Sequence, residues 1–479
     1  MCQPRSALHA WAVEETENLR RREIKFDLNK LAQVAADSVG AALCISIKKY
    51  PDGMFNKSFL VTMEDDQEVV AKVPNPNAGV PHFTTASEVA TMDLITPHVH
   101  AWNSRAKLHP VGTEFIIMDK VEGVPLSEVC DTMQLQQKLK VILAMTSPHK
   151  KWLSVSFSHY GSLYYAGDVQ SPTGNHCVNE GMAINDSEFA IGPATGRDWF
   201  DAGRSVLDIE RGPWASLTQY LQAVGAREIK AIQSLKPPKQ IALFVAQSST
   251  NLTLQRSSLH PHNSEKITGI IDWQSCHISP LFNHNPDPAF LYWDGLEPET
   301  LDLPERLTLS GLSTEERSAA MCEYIVQNVF IGWRKLMHAK NPDLYRVVEF
   351  RKTPAYWLIF LAHRMFEYGE AHFLSLLVDL KDTWADLPGV TRDTPFPFDF
   401  SEEDLERIRL DSDDAIAGTE LASGIKEKMG DLWPDKGFIE YERYDDCKAA
   451  LDELKGQMLD QLAETDEDKA EYQRHWPIE

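Results

Sequence analysis

The 479-residue sequence predicts an α+β protein in which a small antiparallel sheet precedes a larger, mainly helical part and an acidic helical extension. Three observations carry this expectation. Between Ala42 and Val73, three runs rich in β-branched residues are separated by turn residues, the pattern of a meander. From Leu126 onward apolar residues recur at three- and four-residue spacing, which marks amphipathic helices. The length exceeds what one small core organises, and 43% apolar with 25% charged residues describes a folded chain, neither disordered nor fibrous.

Residues 1–40 form a helical lead-in, with Leu19, Ile24, Phe26, Leu28, Leu31 and Val34 at the spacing of one or two amphipathic helices. Residues 41–121 form the small part. Strands are expected over Ala42–Lys48, Ser58–Met63 and Glu68–Val73, and the first turn holds Gly53. The third strand places Lys72 inside Val-Val-Ala-Lys-Val; taken alone, this reads equally well as an edge-strand lysine that discourages unwanted pairing. A helix from Thr84 to Ile95 carries Glu88 on a path able to face back to that lysine. The run Glu114–Val121 then predicts a strand leading into Glu122-Gly123, a connection whose backbone groups can face an adenine.

Residues 122–400 read as helical around a few interruptions: a helix from Met133 to Met145, a short hairpin over Phe157–Tyr165, a surface loop over residues 168–198, and helices over Trp199–Leu235, Glu323–Met337 and Tyr356–Val378. The stripe of Trp333, Tyr356, Trp357, Phe360, Phe366 and Phe373 at helical spacing reads as core, not as a cofactor box. Residues 401–479 hold 24 acids against 10 bases, the composition of a solvated helical face.

Charge and cysteine content exclude several classes. With 47 Lys and Arg against 71 Asp and Glu the net charge is −24, which opposes a nucleic-acid partner but leaves room for a local basic pocket for one nucleotide. Seven cysteines without any CxxC pair argue against a metal knot or a disulfide framework and favour a reducing compartment. No run reaches the length of a membrane span and the first residues lack an apolar secretion core, so a soluble intracellular protein without integral membrane association is expected. The basic run Arg20–Arg22 follows Glu14, Glu15 and Glu17, unlike an acid-poor import presequence.

The run Ile267-Thr-Gly-Ile-Ile-Asp-Trp-Gln-Ser275 delivers one carboxylate, Asp272, to the end of a strand. Such a carboxylate can hold a divalent cation against phosphate oxygens, although Ile-Ile-Asp alone also reads as a strand end with a capping Asp. The order of a glycine turn, a strand lysine, a helix glutamate and a strand-end aspartate is that of a kinase.

Asp52-Gly-Met-Phe-Asn-Lys57, Val70-Ala-Lys-Val73, His82–Asp93, Phe115-Ile-Ile-Met118, Tyr160–Tyr164, Gly196-Arg-Asp-Trp-Phe200, Arg211-Gly-Pro-Trp214 and Ile267–Ser275 together resemble the aminoglycoside-phosphotransferase-like family, and within it the branch associated with altered inheritance of mitochondria. The likeness runs from about residue 11 to the C-terminus and lies in the linked order of the motifs. It implies a protein-kinase-like two-lobed fold with ATP and Mg²⁺ as cofactors. By that resemblance Gly53 lies over the phosphates, Lys72 meets phosphate oxygens, Glu88 holds Lys72, Met118 lies beside the nucleotide and Asp272 binds Mg²⁺. It also implies a mitochondrial location, or a cytoplasmic one if the acid-containing N-terminus is no presequence.

The chain departs from this family in the catalytic loop, where His-x-Asp and a downstream Asn are needed and no His-x-Asp occurs between Leu235 and Asp272. Asn251 stands at the position of the catalytic Asp and Arg256 at that of the Asn. An asparagine can bond a hydroxyl but cannot take its proton. A second departure spans Leu94–Ala101. Arg256 brings positive charge to the place where the resemblance puts a cation, so the expectation is a phosphotransferase-like protein, impaired in turnover, that binds Mg-nucleotide weakly or not at all and takes an unidentified small-molecule acceptor. One alternative is a pseudokinase that acts as a binding or scaffold protein in mitochondrial maintenance. The other is an active small-molecule kinase whose loop is displaced here by a mispredicted exon.

Overall fold

Asp27 accepts the Lys30 amide and starts helix α1 (Leu28–Val39), and Gly40 in the left-handed region ends it. The structure, a computed structural model, describes residues 22–51, 53, 55–95, 98–169, 177–179, 182–184, 188–235, 253–256, 267–288, 291, 293, 297–387, 390–391, 393–433, 443–474 and 476. Its chain divides into two compact units, Met1–Ala223 with Ser248–Lys352, and Val224–Gln247 with Thr353–Glu479.

In the first unit, β1 (Cys44–Lys49), β2 (Asn56–Met63) and β3 (Glu68–Pro74) form the expected antiparallel meander. Helix α2 (Phe83–Ile95) follows, then β4 (Val99–Asn103) and β5 (Phe115–Asp119), which complete a five-stranded sheet in the order β1-β2-β3-β5-β4. Along β3 the two-residue period sends Val69, Ala71 and Val73 to a face covered by Leu31, Ala35 and Ala36 of α1. Lys72 points to the opposite face. It lies between Ser58 of β2 and Ile116 of β5, in the middle of the sheet, so the edge-strand reading is overturned.

The chain continues through β6 (Val124–Pro125), α3 (Leu126–Val129), α4 (Leu135–Leu153), β7 (Val155–Phe157), β8 (Ser162–Tyr165), β9 (Cys177–Asn179), β10 (Met182–Ile184), β11 (Phe189–Gly192) and α5 (Leu217–Ser234). The hairpin expected over Phe157–Tyr165 does not form: β7 pairs with β9, and β8 pairs with β11. The surface loop expected over residues 168–198 contains strands, with Ala190 and Ile191 buried. Such short apolar runs, set among Gly, Pro and Asn, carry no periodic signal. Gly161 is needed at the crossing, because a Cβ there would stand 2.3 Å from the Gly192 carbonyl oxygen. The helix expected from Trp199 starts only at Leu217. Gly212 in the left-handed region and Pro213 interrupt it, and Trp199 and Trp214 pack together instead, with ring centroids 4.7 Å apart.

The hairpin of β12 (Thr253–Arg256) and β13 (Ile267–Ile271) joins β6 in a three-stranded sheet. Helix α6 (Thr314–Lys340) opens with a Ser313/Glu316 capping box and is followed by α7 (Pro342–Arg351). Trp333 and Met337 pack with Ile142 and Met145 of α4 and with Trp273, as the stripe predicts for Trp333, whereas Trp357 of the same stripe is exposed.

The second unit is helical among its described residues: α8 (Pro354–Ala362), α9 (Met365–Tyr368), α10 (Ala371–Thr383), α11 (Glu402–Met429), α12 (Tyr444–Leu462) and α13 (Asp466–Arg474). The helix expected over Tyr356–Val378 is broken into three, with Gly369 in the left-handed region between the second and third. The acidic extension is helical as expected, yet it has a small core of its own made by Ile425, Met429, Met458, Leu459 and Trp476. Arg227 and Glu228 form a buried pair, with Glu228 Oε2 accepting the Phe366 amide.

His149 on α4 is 3% exposed, and neither of its ring nitrogens meets a partner among the described residues. Trp152, Trp333 and His284 surround its ring. Burial, helped by mutual repulsion with His284, lowers its pKa to about 4, and burial with nearby Arg351 does the same to His284. The unfolded chain therefore takes up protons below about 6.5 that the folded chain refuses. The two histidines should add no pH dependence above about 6.5 and should lower stability as the pH drops from about 6.5 to about 4, by roughly 3 kcal/mol for His149 alone. Urea melts across that range check this, and His149→Phe should flatten the decline.

Candidate functional site

Three side chains far apart in sequence meet on the Lys72 face of the five-stranded sheet. Lys72 Nζ donates to Glu88 Oε1 at 2.6 Å and to Asp272 Oδ1 at 2.9 Å. The Lys72 and Glu88 side chains are 6% and 5% exposed, whereas Asp272 is 36% exposed, so the cluster is closed on one side and open on the other.

Each side chain is placed by its element. Lys72 has neighbouring strands on both sides. Glu88 depends on the rotation of α2, whose first turn is held by Glu114: its carboxylate accepts the His82 amide at 2.9 Å and the Thr85 hydroxyl at 2.5 Å. The His82 ring, on a residue in the left-handed region, bonds the Ser104 hydroxyl and the Asp168 carbonyl, tying the start of α2 to the end of β4 and to the chain after β8. Asp272 ends β13 with φ +69, a conformation that residues other than glycine enter rarely, and Ser275 repeats it at φ +61. Between them Trp273 is buried and donates to the Ile270 carbonyl at 3.0 Å, while Gln274 reaches back to the first sheet.

The electrostatics follow from one cation between two carboxylates. Burial alone would lower the pKa of Lys72, but Asp272 and Glu88 outweigh it and raise it, so the ammonium stays charged. Burial and the nearby Asp272 charge raise the pKa of Glu88 against the lowering pull of Lys72. The thiol of Cys276 is pushed up to about 12 by burial and by the same two carboxylates, which makes it no nucleophile at neutral pH. With all three groups ionised the cluster carries one excess negative charge, and a hard cation or a proton suits that balance.

The remaining expected residues are placed as follows. Gly53 lies in the β1–β2 connection with its amide on the Asn56 carbonyl. Met118 is half-buried in β5 between Val70 and Val99. Beyond it, the Glu122 carbonyl is taken by the Thr268 hydroxyl at 2.6 Å, and Gly269 lets this connection approach, since a Cβ there would meet Val121 at 2.6 Å. Asn251 lies outside the described residues. Arg256 pairs with Ile267, and Thr253 with Ile271. The register therefore puts the Arg256 backbone at the far end of the hairpin from Asp272, roughly 13 Å along the strand. The expectation that Arg256 replaces a metal-binding Asn beside Asp272 is corrected accordingly. Sequence reading gave no role to Glu114, Gln274 and Arg197: Glu114 and Gln274 act on partners 29 to 218 residues away, and Arg197, besides its nearby partner Asp201, reaches the Asn77 carbonyl 120 residues away.

Compared with known proteins, the chain is 25% identical to a subtelomeric hrmA-associated cluster protein of Aspergillus fumigatus, over 91% of this chain and 96% of that one. It is 23% identical to the mitochondrial protein named altered inheritance of mitochondria protein 9 of Yarrowia lipolytica, over 84% of this chain and 79% of the relative. The protein of the same name from Zygosaccharomyces rouxii is 23% identical, over 83% and 82%. No family model matches the chain. The names of the Yarrowia and Zygosaccharomyces relatives support a mitochondrial location. Among the described residues no helix is long and apolar enough to cross a membrane.

The shared lysine generates a stability prediction. Glu88→Leu removes a partner of a buried charge and should cost about 3 kcal/mol, and Lys72→Met, which leaves two carboxylates facing each other, should cost at least as much. The double change Lys72→Met with Glu88→Leu should cost less than Lys72→Met alone. Urea unfolding of the three variants measures this, and additive losses would refute the coupling.

Proposed function

We propose that Lys72, Glu88 and Asp272 form the nucleotide cleft of a protein-kinase-like, aminoglycoside-phosphotransferase-type protein that binds Mg-ATP in mitochondria. The observation that carries this reading is a lysine in the middle of an antiparallel sheet, held at once by a helix glutamate and by a strand-end aspartate 200 residues away. A lysine needed only for packing would not require two carboxylates. The residues fit the cofactor. The cluster carries an excess negative charge, Asp272 is partly exposed, and among the described residues its second oxygen takes no hydrogen bond. Asp272 would hold Mg²⁺, which when bound neutralises charge on the phosphate oxygens. Lys72, steered by Glu88, would meet the phosphates, and Met118 with the chain after it would lie beside the base.

Phosphoryl transfer depends chiefly on positioning and electrostatics, and a catalytic aspartate then orients and deprotonates the acceptor hydroxyl. No aspartate occurs between Leu235 and Asp272 to take that proton, and the asparagine that the sequence count puts there, Asn251, cannot. The reading is therefore of a protein that binds nucleotide and transfers phosphate slowly or not at all, toward a small-molecule acceptor of unassigned chemistry. A binding role in mitochondrial maintenance draws its support from the names of the relatives.

Calorimetry on the full chain tests the reading. Mg²⁺-dependent ATP binding should be measurable, should disappear in Asp272→Ala and Lys72→Met, and should be unchanged in Arg256→Asn. Transfer or hydrolysis should lie about 10²–10⁴-fold below an enzyme with its base in place. Absence of binding at millimolar nucleotide, or binding indifferent to Asp272→Ala, would sink the proposal.

A further inference from the structure

Gln274, two residues past Asp272, commits one end of its amide to β2 and the other to the turn that follows β3. Asn56 Nδ2 donates to Gln274 Oε1 at 2.6 Å, and Gln274 Nε2 donates to the Ala78 carbonyl at 2.7 Å. Asn56 opens β2 and pairs with Pro74, the last residue of β3, and Ala78 follows shortly after. The two bonds therefore reach the end of β3 that carries Lys72. Arg197 grips the same two places from another direction. Its guanidinium lies 4.0 Å over the Phe55 ring and donates to the Asn77 carbonyl at 3.2 Å, while Asp201 holds its other nitrogens.

The segment so clasped is the strained one. Asp272 and Ser275, on either side of Trp273 and Gln274, both lie in the left-handed region, which residues other than glycine keep only when their surroundings over-determine it. On one side of Gln274, Trp273 is anchored in the core. On the other, the Cys276 carbonyl accepts the Ser162 hydroxyl at 3.0 Å, and Ile278 forms a two-way bridge with Gly161.

We propose that Gln274 is a positioning residue, which fixes the Asp272 carboxylate against the Lys72 strand so that the metal-binding and phosphate-binding groups keep their spacing. Arg197 secures the loops on which Gln274 acts. The proposal rests on the nucleotide reading above, but its mechanical half does not. Both amide bonds are neutral and tie the segment after Asp272 to the start of β2 and to the turn after β3, so their loss loosens the spacing without removing a charge. Two such bonds together correspond to about a tenfold change in an equilibrium.

The test has two arms on the full chain. Without nucleotide, Gln274→Ala should speed hydrogen exchange about tenfold at the Gly53 and Asn75 amides, which donate to the Asn56 and Phe55 carbonyls, and leave the amides of Val69–Ala71 unchanged. Gln274→Glu, which still accepts from Asn56 but cannot donate to Ala78, should fall between. Unchanged exchange at Gly53 and Asn75, or an equal rise across the whole sheet, overturns the clasp. In the second arm, Gln274→Ala should raise the Mg²⁺ concentration needed for half-maximal ATP binding about tenfold and alter metal-free ATP binding little. Equal losses with and without Mg²⁺ overturn the positioning of Asp272. Failure of the wild-type chain to bind ATP at all overturns the nucleotide reading, and the exchange arm then decides the clasp by itself.

Discussion

The structure of the first unit depends on satisfying one buried ammonium. Lys72 cannot be sheltered between β2 and β5 without partners, since an isolated buried charge costs many kcal/mol. Two demands follow. The first turn of α2 must set the helix rotation so that Glu88 faces the sheet, which is the work of Glu114, His82 and Thr85. The β12–β13 hairpin must also end where its next residue can reach Nζ. The register of Thr253 with Ile271 achieves this, leaving Asp272 as the first residue beyond the paired strand.

That second demand explains the backbone around Asp272. A chain leaving β13 in extended geometry would carry its side chains to alternate faces and continue the strand. Instead it turns left-handed at Asp272, buries Trp273 in the helical core, spends Gln274 on the first sheet and turns again at Ser275. The strain is therefore tied to four specific anchors: an ion pair, an indole, an amide and a bridge to Gly161. Lys72, Asn56 with Ala78, Gly161 and the core around Trp273 thus hold the segment from separate places, which is why the carboxylate keeps its place despite being partly exposed.

Much of this was legible in the sequence because the signals were local. Alternation in Glu68–Val73 marked β3, and the spacing of Glu88 from Lys72 marked a pair that the structure forms at 2.6 Å. The acidic helices were legible from composition and periodicity. What escaped reading was non-local. Ala190 and Ile191 form a buried strand only because β8 lies beside them, and Gly212 with Pro213 breaks what the apolar spacing joined. The same holds at the site. Gln274 looks like any polar residue after a strand, and its role emerges only once Asn56 and Ala78 are brought beside it. Counting residues back from Asp272 placed Arg256 next to the cation, whereas antiparallel pairing sends it to the other end of the hairpin.

On the proposed reading, a cleft of this kind can keep its binding function while losing its chemistry, because the two draw on different groups. Affinity for Mg-ATP comes from the charge balance at Lys72 and Asp272 and from the rigidity behind them, and neither involves the residue that accepts the acceptor's proton. Losing that base removes about 10²–10⁴-fold in rate and leaves the ground-state contacts in place. Keeping the cluster is itself costly, since a buried lysine with two carboxylates is commonly no more stable than apolar side chains of the same volume. Three charged groups held by four separate anchors make poor sense as packing alone. They make sense if a ligand of opposite charge pattern, a cation bridging to phosphate, offsets the cost of the buried charges, because a ligand that binds only the folded state stabilises it by an amount that grows with the logarithm of its concentration over its dissociation constant.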